Sequence, residues 1–581
     1  MRRAILAATA ALVVLTLSAC GSGGGNNNNT VTVTVSPATA NVQEGSQQQF
    51  TATVTNTSST AVNWQVNGVT GGNATVGTID ATGLYTAPAI IPNPASVTIT
   101  AFLQSAPTLS GNAIATITVV SFSNSSLKGN YVLSLSGVDA NGNSFYAVGA
   151  ITADGNGNIT AGEEDVVDVS FGYSQATSGT GTYSVGSDGR GTLNLNNSIG
   201  QFQFAIAMKA LDNAVLNEID SGVVAATGEL EAQTSSIAAP SGNYAFGFSG
   251  SGLGCGQLGF RSAGIFALNG GTVSGVQDLN CSGQITTNRA LTGSYSGIDG
   301  LGRGTGSFGP SSGTSNMIYY VVSGSHFRFL ADPSRATFLL GSADLQTQAS
   351  FVSTDFNGSY VVNTSANTSA GVSYTLIQVN ASGGTVSSGY YDVNDTGVVG
   401  QANLTGTYTV SSNGYVTGTW NVNSAGLPFG LYLISPTQGY YVDERTSAAG
   451  SGNIYAQSSA VTSNANWAGS YATKQFGYFL STLGGINPQN ASSVSGQLSA
   501  DGNGVLAGTL DINDPGGILM NQTLQGTYSV GNVAPGRTTL SLSTPTEGTR
   551  SYVGYIVDQG RVLLLETDTN LVSGGDAIRQ F

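Results

Sequence analysis

The chain is short of the residues on which most catalytic and metal chemistry rests: 581 residues hold 1 His, 3 Cys and 4 Met. Any Ser nucleophile with a histidine base would have to use His326, and the usual Cys/His metal sites lack ligands. Charge is scarce too. Only 8% of residues are charged, and 16 basic against 31 acidic side chains leave a net charge of −15. No basic stripe is available to neutralise phosphates, so nucleic acid is not an expected partner. Helical periodicity is missing beyond the N-terminus, and no apolar run reaches the roughly 20 residues that a membrane-spanning helix needs. Neither a cofactor nor a metal is expected.

What is abundant is Gly, 82 residues, with much Ser, Thr, Asn and Val. That composition describes short strands separated by tight turns. The chain is too long for one core, and its organisation is visible as a repeat. Gly-x-Tyr occurs at Gly129–Tyr131, Gly242–Tyr244, Gly358–Tyr360 and Gly469–Tyr471, in steps of 113, 116 and 111 residues. A second Gly-x-Tyr ends at Tyr183, Tyr295, Tyr408 and Tyr528, and between the two lies a Gly-x-x-Asp ending at Asp165, Asp278, Asp392 and Asp511. Three landmarks in fixed order across four copies exceed composition bias. The first copy contains about eight strand-like runs: 131–135, 145–153, 158–167, 181–185, 191–196, 202–209, 214–219 and 225–233. Hairpin-linked strands of this number suit a small up-and-down barrel or a two-layer sandwich. The expected fold is all-β, with β-units at 127–234, 240–348, 355–458 and 466–581.

Upstream, Arg2 and Arg3, an apolar run from Ala4 to Leu17, and Leu17-Ser18-Ala19-Cys20 have the layout of an export signal over 1–20. The last four residues, followed by Gly21, resemble the lipobox of bacterial lipoproteins. That resemblance implies lipidation of Cys20 and attachment to the cell envelope, with Gly21 favouring the outer membrane. Residues 21–29, GSGGGNNNN, cannot bury apolar surface and are expected to form a flexible tether. Residues 30–121 carry alternating Val/Thr runs, Val35-Ser36-Pro37, Gln49 to Ala52, Trp64, Gly77 to Ile79 and Gly83 to Pro88. This stretch resembles the bacterial Ig-like domains of the intimin/invasin type, which implies a sandwich with Trp64 in its core. The C-terminal units are similar to avidin and lipocalin barrels in pattern only, because their opening aromatic is Tyr where those families have Trp.

Four constellations invite a chemical reading, and each has a plainer one. Asp154 to Asn158, DGNGN, has the alternating oxygens of a calcium loop but also the Asp-Gly and Asn-Gly of a hairpin turn, which fits better because Ile159 stands where an EF-hand needs Gly. Glu163, Glu164 and Asp165 could pair carboxylates for glycoside hydrolysis; only the Asp recurs, so a solvated turn-capping role is expected for it. His326 lies in a β-run without a Gly-x-Ser-x-Gly elbow, and is read as a strand histidine. In Tyr319-Tyr320, Tyr390-Tyr391 and Tyr440-Tyr441 the strand pleat puts one ring of each pair into a core and one outward, where it could stack on sugars.

With Cys20 lipidated, Cys255 and Cys281 are the only remaining thiols of an exported chain, and they fall in links at the same end of the second unit, so a disulfide is expected between them. The functional expectation is a non-catalytic surface lipoprotein that presents repeated domains for adhesion or binding of a polymer such as polysaccharide, with avidity from repetition. A small-ligand carrier using the barrel interiors is the alternative, and an extracellular hydrolase the third. Ligand-binding residues are not legible.

Overall fold

The computed structural model describes residues 30–580 apart from 169–171, 221–222, 253–254, 256–258, 311–314, 332–336, 459–460 and 481–485. The export signal, Cys20 and the tether lie outside the described residues. The described residues divide into two compact units, the first falling within Met1–Asn41, Gln48–Thr86 and Ser96–Thr116 and described from residue 30 onward.

In that first unit the Val/Thr alternation does what a half-buried strand requires. Val33 and Val35 face inward from Thr32–Ser36, and Val97, Ile99, Ala101 and Leu103 from Ser96–Leu103. Thr32–Ser36 pairs with Thr51–Thr55, while Val62–Val66 and Ser96–Leu103 belong to a separate five-stranded sheet. Phe50, Trp64 and Tyr85 are buried, and the Tyr85 hydroxyl donates to the Val76 carbonyl at 2.7 Å. Gly83 adopts φ +84° beside Trp64, and a Cβ there would stand 2.7 Å from the indole, so only glycine fits.

The second unit holds four eight-stranded antiparallel barrels, which decides between the barrel and sandwich alternatives. Barrel 1 runs through Lys128–Asp139, Ser144–Asp154, Asn158–Asp168, Thr180–Val185, Arg190–Asn197, Gly200–Ala210, Asn213–Glu218 and Val223–Ala232, with a short extra strand at Gly172–Ala176. Its first strand pairs on both sides, Tyr131 lying opposite Ile151 and Ala232, and pairing of the second strand with the third completes the ring. Barrels 2, 3 and 4 start at Gly242–Gly252, Gly358–Thr368 and Ala468–Leu480 and finish at Thr337–Leu345, Ala448–Ala456 and Leu571–Arg579. Closure leaves no free sheet edge for neighbouring copies to pair with.

The repeated landmarks have physical work to do. Each opening Gly adopts positive φ, from +116° to +135°, and the Tyr two residues on is buried in its barrel. The hydroxyls of Tyr244, Tyr360 and Tyr471 donate to Gly324, Pro436 and Gln559 carbonyls at 2.7, 2.9 and 3.0 Å, tying the first strand to the turn between strands six and seven. The second Tyr seals the base: Tyr183, Tyr408 and Tyr528 donate to carbonyls of Leu127, Phe356 and Trp467 at 2.6, 2.7 and 2.6 Å. Interiors are filled by apolar side chains. Barrel 2 is packed with Phe246, Phe248, Phe260, Phe266, Phe327 and Phe329; barrel 3 stacks Trp420 on Phe429 at 3.8 Å; barrel 4 is rich in Leu.

Although every barrel has its own core, the barrels are not separate beads. Strands one to three of each pack against strands six to eight of the next, and strands one to three of barrel 4 pack against strands six to eight of barrel 1. This head-to-tail contact, repeated until it closes, makes a ring with pseudo-fourfold symmetry inside one chain.

Candidate functional site

Three of the four Gly-x-x-Asp carboxylates tie one barrel to the next through an arginine. Contrary to the solvated turn-capping role expected from sequence, Asp165, Asp278, Asp392 and Asp511 are all buried at seams between barrels. Asp165 of barrel 1 accepts from Arg303 Nε and Nη2 of barrel 2 at 2.7 and 2.9 Å and from the Tyr320 hydroxyl at 2.6 Å. Asp392 of barrel 3 receives the same set from barrel 4, Arg537 at 2.9 and 2.7 Å and Tyr555 at 2.7 Å. Asp511 of barrel 4 is bound by Arg190 of barrel 1, with Nη2 2.7 Å from Oδ2. The arginines sit at the start of the fifth strand, and their cross-strand neighbours are Tyr320, Tyr555 and Ala207. Between barrels 2 and 3 the arginine position is Tyr415 opposite Tyr432, and no ion pair holds Asp278 among the described residues. There burial raises the pKa of Asp278 and of its neighbour Glu444, the latter to about 8.

Two residues beyond three of these aspartates stands an asparagine that caps the next barrel. Asn280 Nδ2 donates to the Asp443, Arg445 and Ala448 carbonyls, Asn394 Nδ2 to those of Glu566, Asp568 and Leu571, and Asn513 Nδ2 to that of Glu218. A glutamine just after each eighth strand does likewise. Gln233, Gln346 and Gln457 donate to Val321, Leu433 and Ile556 carbonyls at 2.7, 2.9 and 2.9 Å, and Gln580 reaches back to Met208 of barrel 1 at 2.7 Å. These four glutamines escaped sequence reading; their equivalent places in the repeat were the signal.

A polar network links all four barrels where they converge. Glu229 of barrel 1 bridges Lys209 and Lys474, the latter from barrel 4. Glu231 accepts from Arg328 Nε of barrel 2 at 2.7 Å and lies 3.4 Å from His326 Nε2; His326 Nδ1 is 2.8 Å from Asp344, which the hydroxyl of Tyr440 from barrel 3 also bonds. Arg561 of barrel 4 lies 4.2 Å over the ring of Tyr455 of barrel 3. Burial alone would lower the His326 pKa, but the charge of Glu231 and the bonds to Asp344 and Glu231 outweigh it and lift it to about 9. This strand histidine is thus a cation held between two carboxylates.

Lys474 also lines a cavity of about 320 Å³ to which every barrel contributes. Its walls include Tyr146 and Thr227 of barrel 1, Arg261 and Ser251 of barrel 2, Tyr374 of barrel 3 and Tyr478 of barrel 4. A second recess of about 280 Å³ shares Ser249, Ser365, Tyr374, Gly574 and Gly575 with it. Of the barrels themselves, barrel 2 carries an open recess of about 490 Å³ beside Ser294, Tyr295 and Asn316, and barrel 4 a mouth of about 40 Å³, floored by Leu and Val, in which Arg550 is paired with Glu547 and Glu566.

The other sequence candidates are dispersed. Asp154 accepts the Asn156 and Asn158 amides at 2.7 and 3.0 Å, and Asp501 those of Asn503 and Val505 at 2.7 and 2.8 Å, so both loops are tight turns. Bonds from Asn158 hold the Asp154 carboxyl low, at about 2. The pleat separates the acidic triplet: Glu164 bonds Asn197 within barrel 1, whereas Asp165 faces barrel 2. Of the tyrosine pairs, Tyr319 and Tyr441 are in barrel cores, but Tyr320, Tyr390 and Tyr440 are buried in seams and not presented to solvent for sugar stacking. Cys255 and Cys281 form a disulfide with Cα atoms 4.9 Å apart. Among the described residues no group of three or more His, Cys, Asp or Glu could hold a metal ion, and no helix is long and apolar enough to cross a membrane.

Comparison with known protein families and with curated proteins gives no match. Among solved structures, the intact Ap-TbpB (N and C lobes) aligns at 10% identity over 63% of this chain and 83% of its own, TM-score 0.18. A transferrin binding protein B double mutant from Haemophilus parasuis aligns at 11% identity, 63% and 82%, TM-score 0.17, and kievitone hydratase from Nectria haematococca at 9%, 58% and 89%, TM-score 0.15. Scores this low carry no argument about activity.

Proposed function

We propose that this is an exported, lipid-anchored, non-catalytic binding protein of the cell envelope, whose ring of barrels binds a polysaccharide at its axis. Export and the anchor at Cys20 rest on the N-terminal sequence, and the first unit is read as an Ig-like spacer. The observation that supports the binding reading is the location of empty space. Barrel interiors are largely occupied by apolar side chains, while a polar, aromatic-lined hollow lies where all four barrels meet. A glycan array with the full chain in detergent tests this: retention of at least one oligosaccharide class supports it, and absence of retention across the array overturns it.

The mouth of barrel 4 favours a second reading, a carrier for a small amphipathic ligand, since it combines a Leu/Val floor with a paired Arg550 at the rim. Protection of Leu542 and Leu571 amides from exchange by a fatty acid would identify that site.

A further inference from the structure

The axial cavity carries a charge anomaly. In a protein of net charge −15, its lining includes two cations, Arg261 and Lys474, and no Asp or Glu. Lys474 is neutralised by Glu229. Among the described residues no carboxylate pairs with Arg261: its Nη1 donates to the carbonyls of Gly250 and Phe260 at 3.1 and 2.9 Å, while its Nε is buried without a hydrogen-bond partner. A half-buried guanidinium facing only dipoles is costly, and the usual remedy is a planar oxyanion that takes two parallel N–H bonds. Around it stand Tyr146, Tyr374 and Tyr478, one from each of the other three barrels, with Ser249, Ser251 and Ser365 between them. Burial raises the pKa of the Tyr374 and Tyr478 phenols, so both stay neutral and able to donate. Aromatic faces, hydroxyls and one uncompensated cation describe a receptor for a sugar that bears an anionic group.

Resting on the glycan-binding reading above, we infer that the axial cavity selects acidic over neutral glycans, Arg261 binding the sugar's carboxylate or sulfate ester between the three tyrosine rings. The volume of about 320 Å³ is at the lower end of the roughly 300–1,000 Å³ usual for ligand pockets, room for the end of a glycan and more than a free ion needs.

The test is isothermal titration of the full chain in detergent with an oligogalacturonate, a sulfated galactan oligomer, a neutral galactan oligomer and inorganic sulfate. The expected result is that at least one acidic oligomer binds at least tenfold tighter than the neutral one, weakening with salt, and that Arg261→Gln removes at least tenfold of that affinity with an unchanged thermal midpoint. Whichever acidic oligomer binds tighter identifies the anionic group. Should Arg261→Gln misfold, Arg261→Lys replaces it, keeping the charge but losing the fork, and at least threefold weakening is expected. Neutral and acidic oligomers binding alike, inorganic sulfate matching the oligomers, or glycan binding untouched by Arg261 substitution overturns this inference and leaves glycan binding standing. If no glycan binds at all, the broader reading falls as well.

Discussion

Between barrels 3 and 4, Asp392 accepts from Arg537 and Tyr555 within an apolar seam of Val361, Leu376, Val553, Val557, Leu563 and Leu565. Between barrels 4 and 1, Asp511 accepts from Arg190 through Nη2 alone and not through the Nε–Nη2 fork, Ala207 stands where Tyr555 does, and the buried apolar residues are mostly small, Ala207, Val215 and Ala472 and Val138, Ala225 and Ala491, with Phe476 and Tyr478 packed against the latter. Polar bonds fill the difference. Ser493 donates to Asn217 Oδ1 at 2.6 Å, Asn217 Nδ2 to the Asp511 carbonyl at 3.0 Å, and Lys474 pairs with Glu229. The contrast has a physical reason. A head-to-tail interface that has not closed on its own chain can be satisfied by another molecule, which gives filaments. Making the closing faces small and polar lowers the drive for such contacts, because the exposed ends of an open ring present little apolar surface.

Removing one arginine from each seam tests the contrast most severely. Arg537→Ala and Arg190→Ala each strand a buried aspartate, and each is expected to cost about 3–5 kcal/mol. The outcomes differ in kind: Arg537→Ala lowers the thermal midpoint of the ring, whereas Arg190→Ala releases barrel 4 from barrel 1, which has no direct linker to restrain it, and enlarges the radius of gyration by X-ray scattering. Equal radii for the two variants would dissolve the distinction.

Alkaline pH should separate the seams next. The His326 pKa is raised from its ordinary value near 6.5 to about 9, so its contribution is complete below 6.5 and is lost as pH rises through 9. Asp278 and Glu444, also raised, lose theirs in the same direction, Glu444 as pH passes about 8. Seam 1–2 therefore weakens between pH 6.5 and 9, by up to about 3 kcal/mol for His326, whereas seam 2–3 weakens at lower pH, between about 4.5 and 8. Hydrogen exchange across that range reads each seam separately, and His326→Gln should flatten the dependence at seam 1–2.

Reduction of Cys255–Cys281 is predicted to remove up to about 3 kcal/mol from barrel 2 alone, leaving exchange in barrel 4 unchanged. Smallest is Gln580→Ala, which takes a donor from the Met208 carbonyl and should cost about 1–2 kcal/mol. Its effect should appear as faster exchange at the closing seam, larger there than the effect of Gln457→Ala at seam 3–4, where apolar contact persists.

Much of the barrel was readable because strands and turns are local. Alternating apolar residues, Gly at positive φ and buried Tyr at fixed repeat positions act within one copy, and the eight runs drawn from the first copy coincide with its eight barrel strands. Asp165 was misread because a polar residue at the end of a strand looks the same whether water or another barrel faces it. Its partner Arg303 is 138 residues away, and Arg190 lies 321 residues from Asp511. Arg261 gave no signal at all, since an arginine on a strand is ordinary until the described residues of the three barrels around it are seen to offer no carboxylate to the cavity.

By itself, then, the sequence determined the all-β class, the fourfold repeat and the strand order within a copy, since propensity, pleat periodicity and turn chemistry act over a few residues. Tertiary structure decided that the barrels close into a ring, which aspartates are buried and that the polar hollow lies between barrels and not within them. Those follow from head-to-tail packing angles, which sum over four interfaces and are written in no single copy.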